Sequence, residues 1–185
     1  MSKTKQIHHK LIEGCKQQKR KAQLQLYKAY CDAMFIVANR YVKDKYVAED
    51  VMQEAFIKAF KNIDKFKGEV TFGSWLKRIV INQSIDELKK QKLMGVSLNE
   101  EILNVVDDTV WEVEEHISSE MIVEAINKLK DKYRLVLSLF LIEGYDHNEI
   151  SQILGISEVA SRTQLSRGKK LVKESLKTMN YAEGY

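Results

Sequence analysis

The sequence predicts an all-α fold, and three observations carry that expectation. The 185 residues include no proline and only 8 glycines, which favours long helices joined by short turns over a turn-rich sheet protein. Apolar residues recur at three- and four-residue spacing from Leu11 to Leu93 and again from Met121 to Leu176, the period of helices with one buried face. No strictly alternating run is long enough to make a strand.

The length suits two small domains, each able to bury a modest core. A composition of 44% hydrophobic and 30% charged residues is that of a folding globular chain. No apolar run approaches the roughly 20 residues that cross a bilayer, and MSKTKQIHHK lacks the apolar stretch of a signal peptide, so the chain is expected in the cytoplasm. Cys15 and Cys31 sit in helical patterns with no second cysteine or histidine at metal spacing, and both read as packing thiols. No metal or cofactor is expected.

In the N-terminal half, Val47 to Ile63 reads as a two-faced helix. Ala48, Met52, Ala55, Phe56, Ala59 and Ile63 fall on one side as core, and Asp50, Gln53, Glu54, Ile57 and Lys61 form the opposite stripe. An isoleucine among carboxylates on a polar face suits a contact surface, although a lone exposed isoleucine is also ordinary. Lys65 to Ser74 reads as a glycine-containing loop, and the helix after it places Arg78, Asn82 and Lys89 on one side.

Charge then changes sign along the chain. Leu93 to Asn127 contains none of the 30 basic residues and nine of the 26 acidic ones. It reads as a solvated linker between two basic modules, and a tether of that kind suits bipartite recognition of a polyanion. Ile122 to Ile142 is expected as one helix, with Ile126, Leu129, Val136, Leu137, Phe140 and Leu141 giving apolar support to the C-terminal segment.

Asp146 to Ser157 reads as helix, then turn. Asp146 and Glu149 have capping-box spacing, Gly155 suits a left-handed helix end, and Ser157 suits the cap of the next helix, Glu158 to Lys173. In that second helix Arg162, Thr163, Ser166 and Lys170 share one face, with Arg167 and Lys169 on its flanks and Leu165, Gly168 and Val172 opposite. The pattern matches a helix-turn-helix whose second helix enters the major groove, and a solvated basic helix in an ordinary bundle would share part of it. Thr178 to Tyr185 reads as a short tail.

The run Ala48-Glu49-Asp50-Val51-Met52-Gln53-Glu54-Ala55-Phe56, the Phe66-Lys67-Gly68 turn, Trp75-Leu76 with Arg78-Ile79, Asn82 and Asp86 resemble conserved regions two-point-one to two-point-four of extracytoplasmic-function sigma factors. Glu143-Gly144-Tyr145, Glu149-Ile150, Leu154-Gly155-Ile156-Ser157 and Ser161-Arg162-Thr163-Gln164-Leu165-Ser166-Arg167 resemble region four of the same family. The resemblance implies a region-two domain at 1–92, an acidic linker at 93–118 and a region-four domain at 119–185, with no catalytic site. It implies that Asp50, Gln53, Glu54, Ile57 and Lys58 dock on the clamp coiled coil of the largest subunit of RNA polymerase core. Separated minus-ten DNA would be held by Lys67, Gly68, Phe72, Arg78, Asn82 and Lys89, with Gly68 and Gly73 letting the backbone approach, Phe72 walling a pocket and Trp75 in the core. Duplex minus-thirty-five DNA would be read by Arg162, Thr163, Ser166, Arg167 and Lys170, while Val110, Trp111 and Val113 anchor the linker in the polymerase. Promoter DNA and the core enzyme are then the partners, and an anti-sigma factor stays open as a third.

The sequence departs from the family pattern at Val159-Ala160, where Gly-Thr is usual, near Leu129-Lys130, where a proline is usual, and at Ser151. A stand-alone helix-turn-helix regulator is the alternative. An enzyme is disfavoured: His8, His9, His116 and His147 are scattered, and no phosphate-binding glycine loop is present.

Overall fold

In the computed structural model, which describes residues 7–93 and 117–182, every regular element among those residues is helical. The chain divides into two compact units, Met1–Ser97 and Leu98–Tyr185. Apart from residues 93, 117 and 118, the expected acidic linker with Val110, Trp111 and Val113 lies outside the described residues.

The first unit holds α1 (His9–Lys16), α2 (Arg20–Val42), α3 (Lys45–Lys61), a short 3-10 turn (Ile63–Lys65) and α4 (Phe72–Leu93). α2, α3 and α4 pack on one another, and α1 lies against α2. The α2–α3 corner is tight because Lys43 takes a left-handed conformation at φ 60° and Asp44 caps α3, its side chain accepting from the Tyr46 and Val47 amides at 2.9 and 3.1 Å. Ala48, Ala55 and Ala59 are fully buried, and their small side chains let neighbouring backbones come close. Leu26, Phe56, Leu76, Val80 and Ile81 fill the space between the helices. Cys15 is buried as expected, but Cys31 sits partly exposed on α2 with its thiol directed to the Lys28 carbonyl at 3.8 Å, so only Cys15 is a packing thiol.

The second unit holds α5 (Ser119–Lys128), α6 (Asp131–Leu137), a π turn (Ser138–Ile142), α7 (His147–Leu154) and α8 (Glu158–Ala182). α5, α6 and α7 all pack against α8. The single helix expected over Ile122 to Ile142 is instead two helices and a π turn. Leu129 and Lys130 adopt extended conformations at ψ 159° and 145°, so the chain turns there without a proline. The break directs Arg134 inward, 1% exposed, where its guanidinium meets Asp131 Oδ1 at 2.8 Å from Nη2 and 3.3 Å from Nε. α8 also runs on to Ala182, well past the expected end near Lys173 and through the start of the segment read as a tail.

Gly168 faces α6, where a Cβ would collide with Leu137 Cδ1, and Leu137 is fully enclosed. A helical glycine replaced by another residue ordinarily gains a few tenths to about 1 kcal/mol from helix propensity. Here the added volume has nowhere to go. We expect Gly168→Val to destabilise the second unit by about 1–3 kcal/mol, seen as its denaturant transition moving to lower concentration while that of the first unit stays. An unchanged or rising midpoint would contradict this packing.

Candidate nucleic-acid and protein-binding surfaces

Three surfaces arise from this framework, two on the first unit and one on the second. On α3 the buried residues Ala48, Val51, Met52, Ala55, Phe56 and Ala59 occupy one side, so the helical period turns Asp50, Gln53, Glu54, Ile57 and Lys58 outward, all exposed. Ile57 is 54% exposed among charged and amide groups. The stripe is partly braced: Gln53 Nε2 donates to Glu49 Oε1 at 3.3 Å, and Gln83 Nε2 on α4 donates to Glu54 Oε2 at 2.6 Å. Sequence reasoning missed Gln83 because its partner is 29 residues away.

The loop before α4 turns at Gly68, whose φ of +77° favours glycine, and open space surrounds the position of its missing Cβ. Its requirement is conformational. Gly73 differs: a Cβ there would lie 3.0 Å from Tyr30 Cε1, so its bareness accommodates an internal ring and not an approaching ligand. Thr71 caps α4, accepting from the Ser74 amide at 3.2 Å.

Lys67, Arg78, Asn82 and Lys89 are all exposed, and the last three fall on one side of α4 as expected. Phe72 requires correction. It is 1% exposed, with its ring edge-on to Tyr30 at 5.4 Å and to Phe66 at 5.6 Å, so it cannot wall a surface pocket. As the first residue of α4 it anchors the helix start in an aromatic cluster, where burying the ring gains more than exposing it. Trp75, expected in the core, is a partly exposed ring of that cluster, 5.4 Å from Phe66 and 5.7 Å from Phe72.

In the second unit α7 carries the full capping box. The Asp146 side chain accepts from the Glu149 amide at 2.8 Å, and Glu149 Oε2 accepts from the Asp146 amide at 3.2 Å. Gly155 ends the helix at φ 72°, and Ser157 Oγ accepts from the Ala160 amide at 3.1 Å. Ser161, Leu165, Gly168 and Val172 are buried, which leaves Arg162 and Lys170 exposed and Thr163, Ser166, Arg167 and Lys169 half-buried around them.

A polar chain joins the two helices of this motif. Gln152 Nε2 donates to Asn148 Oδ1 at 2.8 Å, Asn148 Nδ2 donates to Glu158 Oε1 at 3.0 Å, and Arg162 Nη2 meets Glu158 Oε2 at 3.4 Å. Glu158 thus pairs with the guanidinium of the leading base-reading candidate at the four-residue spacing of one helical turn. Behind it His147 stacks on Phe140 at 4.9 Å and pairs through Nδ1 with Ser161 Oγ at 2.9 Å. Burial, and after it the Arg162 charge, lowers the His147 pKa, which favours the neutral form of the imidazole packed between α7 and α8.

No helix among the described residues is long and apolar enough to cross a membrane, and no group of side chains among them is arranged to hold a metal ion. Residues 26–93 match the family model for sigma-70 region 2, and residues 119–172 match that for sigma-70 region 4. The chain is similar to the ECF RNA polymerase sigma factor SigW of Bacillus subtilis, 32% identical over 161 residues that cover 81% of this chain and 86% of that protein. It is 27% identical over 154 residues to SigM, another ECF RNA polymerase sigma factor of Bacillus subtilis, covering 80% of this chain and 91% of the relative. The fold resembles that of the sigma factor RpoE of Bartonella quintana, solved in complex with the anti-sigma factor NepR, at a TM-score of 0.50 and 20% identity, covering 83% of this chain and 95% of that one. With both regions matched in order and a 32% identical relative aligned over most of its length, the chain belongs to the sigma-70 family as an ECF-type alternative sigma factor.

Proposed function

We propose that this sigma factor joins bacterial RNA polymerase core in the cytoplasm through the exposed face of α3, reads duplex minus-thirty-five DNA with α8, and holds opened minus-ten DNA on the loop and helix that come after Lys65. In this reading its domains span 1–92 and 119–185 with an acidic linker at 93–118, and its role is non-enzymatic. The observation that carries the reading is the capped helix-turn-helix, whose second helix turns Arg162 and Lys170 outward above a buried Leu165, Gly168 and Val172. A basic outer face on the second helix suits the major groove. A stand-alone regulator would leave the α3 stripe, with Ile57 exposed among charges, without a purpose.

On the first unit, Lys67, Arg78 and Lys89 supply charge for a single strand, and Asn82 supplies an amide donor and acceptor for a base edge. Trp75, in place of the enclosed Phe72, supplies the accessible aromatic surface. The likeness to a sigma factor solved with an anti-sigma factor supports an anti-sigma protein as a third partner class.

Recovery of core polymerase subunits with the purified chain tests the reading most directly, and recovery of duplex DNA alone would favour the regulator. Within the DNA-binding part, Arg162→Ala should relax specificity by about 1–3 kcal/mol at one base position. That exceeds the ~0–1 kcal/mol of the exposed Arg162–Glu158 pair that must give way. Lys170→Ala should weaken all duplexes alike and flatten the salt dependence. If both substitutions shift every sequence equally in a binding titration, α8 is a phosphate clamp and base reading lies elsewhere.

A further inference from the structure

The minus-thirty-five assignments name only polar and basic side chains, yet the most exposed large apolar group among the described residues of the second unit stands at their head. Val159 is 69% exposed, against 39% for Leu141 and 37% for Leu171, the other exposed large apolar side chains described in that unit. It lies in the first turn of α8, and positions three, four, seven and eleven residues on are Arg162, Thr163, Ser166 and Lys170. At helical spacing these five share one face. The outward stripe of the recognition helix therefore begins with a hydrocarbon.

Scattered apolar side chains on a surface are ordinary, but this one is set among groups that draw DNA onto it. Residues at the N-terminal end of a recognition helix are those that reach base edges. The side chain is β-branched and held near one rotamer by the helix, so it presents a fixed shape. Val159 has no donor or acceptor in its side chain, and its backbone carbonyl is already engaged by Thr163 Oγ1 at 2.9 Å. Pressed against a base amino group or carbonyl it would leave that group unpaired. One feature of the major groove is complementary to it, the C5-methyl of thymine.

We infer that Val159 is a specificity-determining residue of this sigma factor, selecting thymine at one position of the minus-thirty-five element by packing against its methyl group. The inference rests on the reading of α8 as the duplex-binding helix. Arg162 would take the neighbouring base by hydrogen bonding, so adjacent positions are read by opposite chemistries from one turn of helix.

Deoxyuridine differs from thymidine only by that methyl, which makes the test chemically narrow. The full chain assembled with bacterial core polymerase would select duplexes from a library randomised over the minus-thirty-five block. Each thymine of the enriched sequence is then replaced singly by deoxyuridine, and affinity is measured for the native chain and for Val159→Ala. Loss of one buried methyl corresponds to roughly fourfold weaker binding. We expect one position to show that loss with the native chain and none with Val159→Ala, whose own affinity for the thymine duplex falls by a similar factor. Absence of any deoxyuridine-sensitive position, or sensitivity that survives in Val159→Ala, would overturn the inference while leaving duplex reading by α8 intact. Failure to enrich any duplex would instead overturn the duplex reading, and the role of Val159 with it.

Discussion

Ile57→Asp combined with Glu54→Lys is expected to abolish association with core polymerase while leaving the fold intact. Ile57 is 54% exposed and Glu54 lies on the same outer face of α3, so neither side chain supports the core formed by Ala55, Phe56 and Ala59. An apolar anchor ringed by charges loses most of its binding value when its centre is wetted, on the order of 2–4 kcal/mol for a well-packed anchor. Inverting a charge beside it converts attraction into repulsion and slows encounter. Together the two changes should lower affinity by at least about a hundredfold, enough to empty a complex peak in size-exclusion chromatography.

Glu54→Lys also removes the acceptor of the 2.6 Å bond from Gln83. That exposed bond is worth about 1 kcal/mol, and Gln83→Ala provides the control: it breaks the same bond without touching the stripe's charge and should retain polymerase. Unchanged binding by the double variant, with normal circular dichroism, would remove α3 as the docking face.

The second large effect is expected at Asn82, where substitution by alanine should impair promoter opening far more than promoter binding. Asn82 is exposed on α4 one turn beyond Arg78 and two turns beyond Trp75, and in the proposed minus-ten role its amide pairs with a base that has left the duplex. Extracting such a base costs a few kcal/mol, and a contact that forms afterwards offsets that cost in the open complex alone. Transcription by Asn82→Ala from a closed duplex should therefore fall by about fivefold or more, corresponding to one bidentate contact of about 1–3 kcal/mol.

A template carrying a pre-melted mismatch bubble has the unpairing already supplied, and it should restore a large part of the activity. Equal defects on closed and bubble templates, with the helical spectrum intact, would take Asn82 out of strand opening. Loss of the helical spectrum itself is not expected, because α4 is held by buried residues that include Leu76, Val80, Ile81 and Ile85 and not by Asn82.

Features encoded within a few residues were legible in the sequence. The Asp146–Glu149 capping box, the left-handed Gly155 and the Ser157 cap all depend on hydrogen bonds or backbone angles spanning three residues or fewer, and such geometry follows from residue type and spacing. The two-faced character of α3 was legible for a similar reason. Its core alanines and its Asp50-to-Lys58 stripe are separated by helical period alone, whatever packs against them.

Other assignments failed where two apolar residues competed for one place. Phe72 and Trp75 are both large aromatics near the start of α4, and nothing in their order says which is enclosed. Phe66 in the loop touches both rings, and Tyr30 on α2 lies 5.4 Å from Phe72, which is the enclosed one. The break at Leu129–Lys130 was hidden because no proline marks it and because the apolar period runs on through it. It accompanies the seating of α5 and α6 against α8 and the enclosure of Arg134, which pairs with the partly exposed Asp131.

The helical character of the described residues, the acidic stretch between two basic segments and the outward faces of α3 and α8 were legible from residue order, because periodicity, capping and charge are written residue by residue. It took the packed structure to show that Phe72 is enclosed and Trp75 partly accessible, that Gln83 braces Glu54, and that Gly168 must stay bare beneath Leu137. Most of these are contacts between residues on different helices, such as Tyr30 with Phe72 and Leu137 with Gly168, and spacing along a chain carries no record of which distant side chains will meet when apolar faces are buried together.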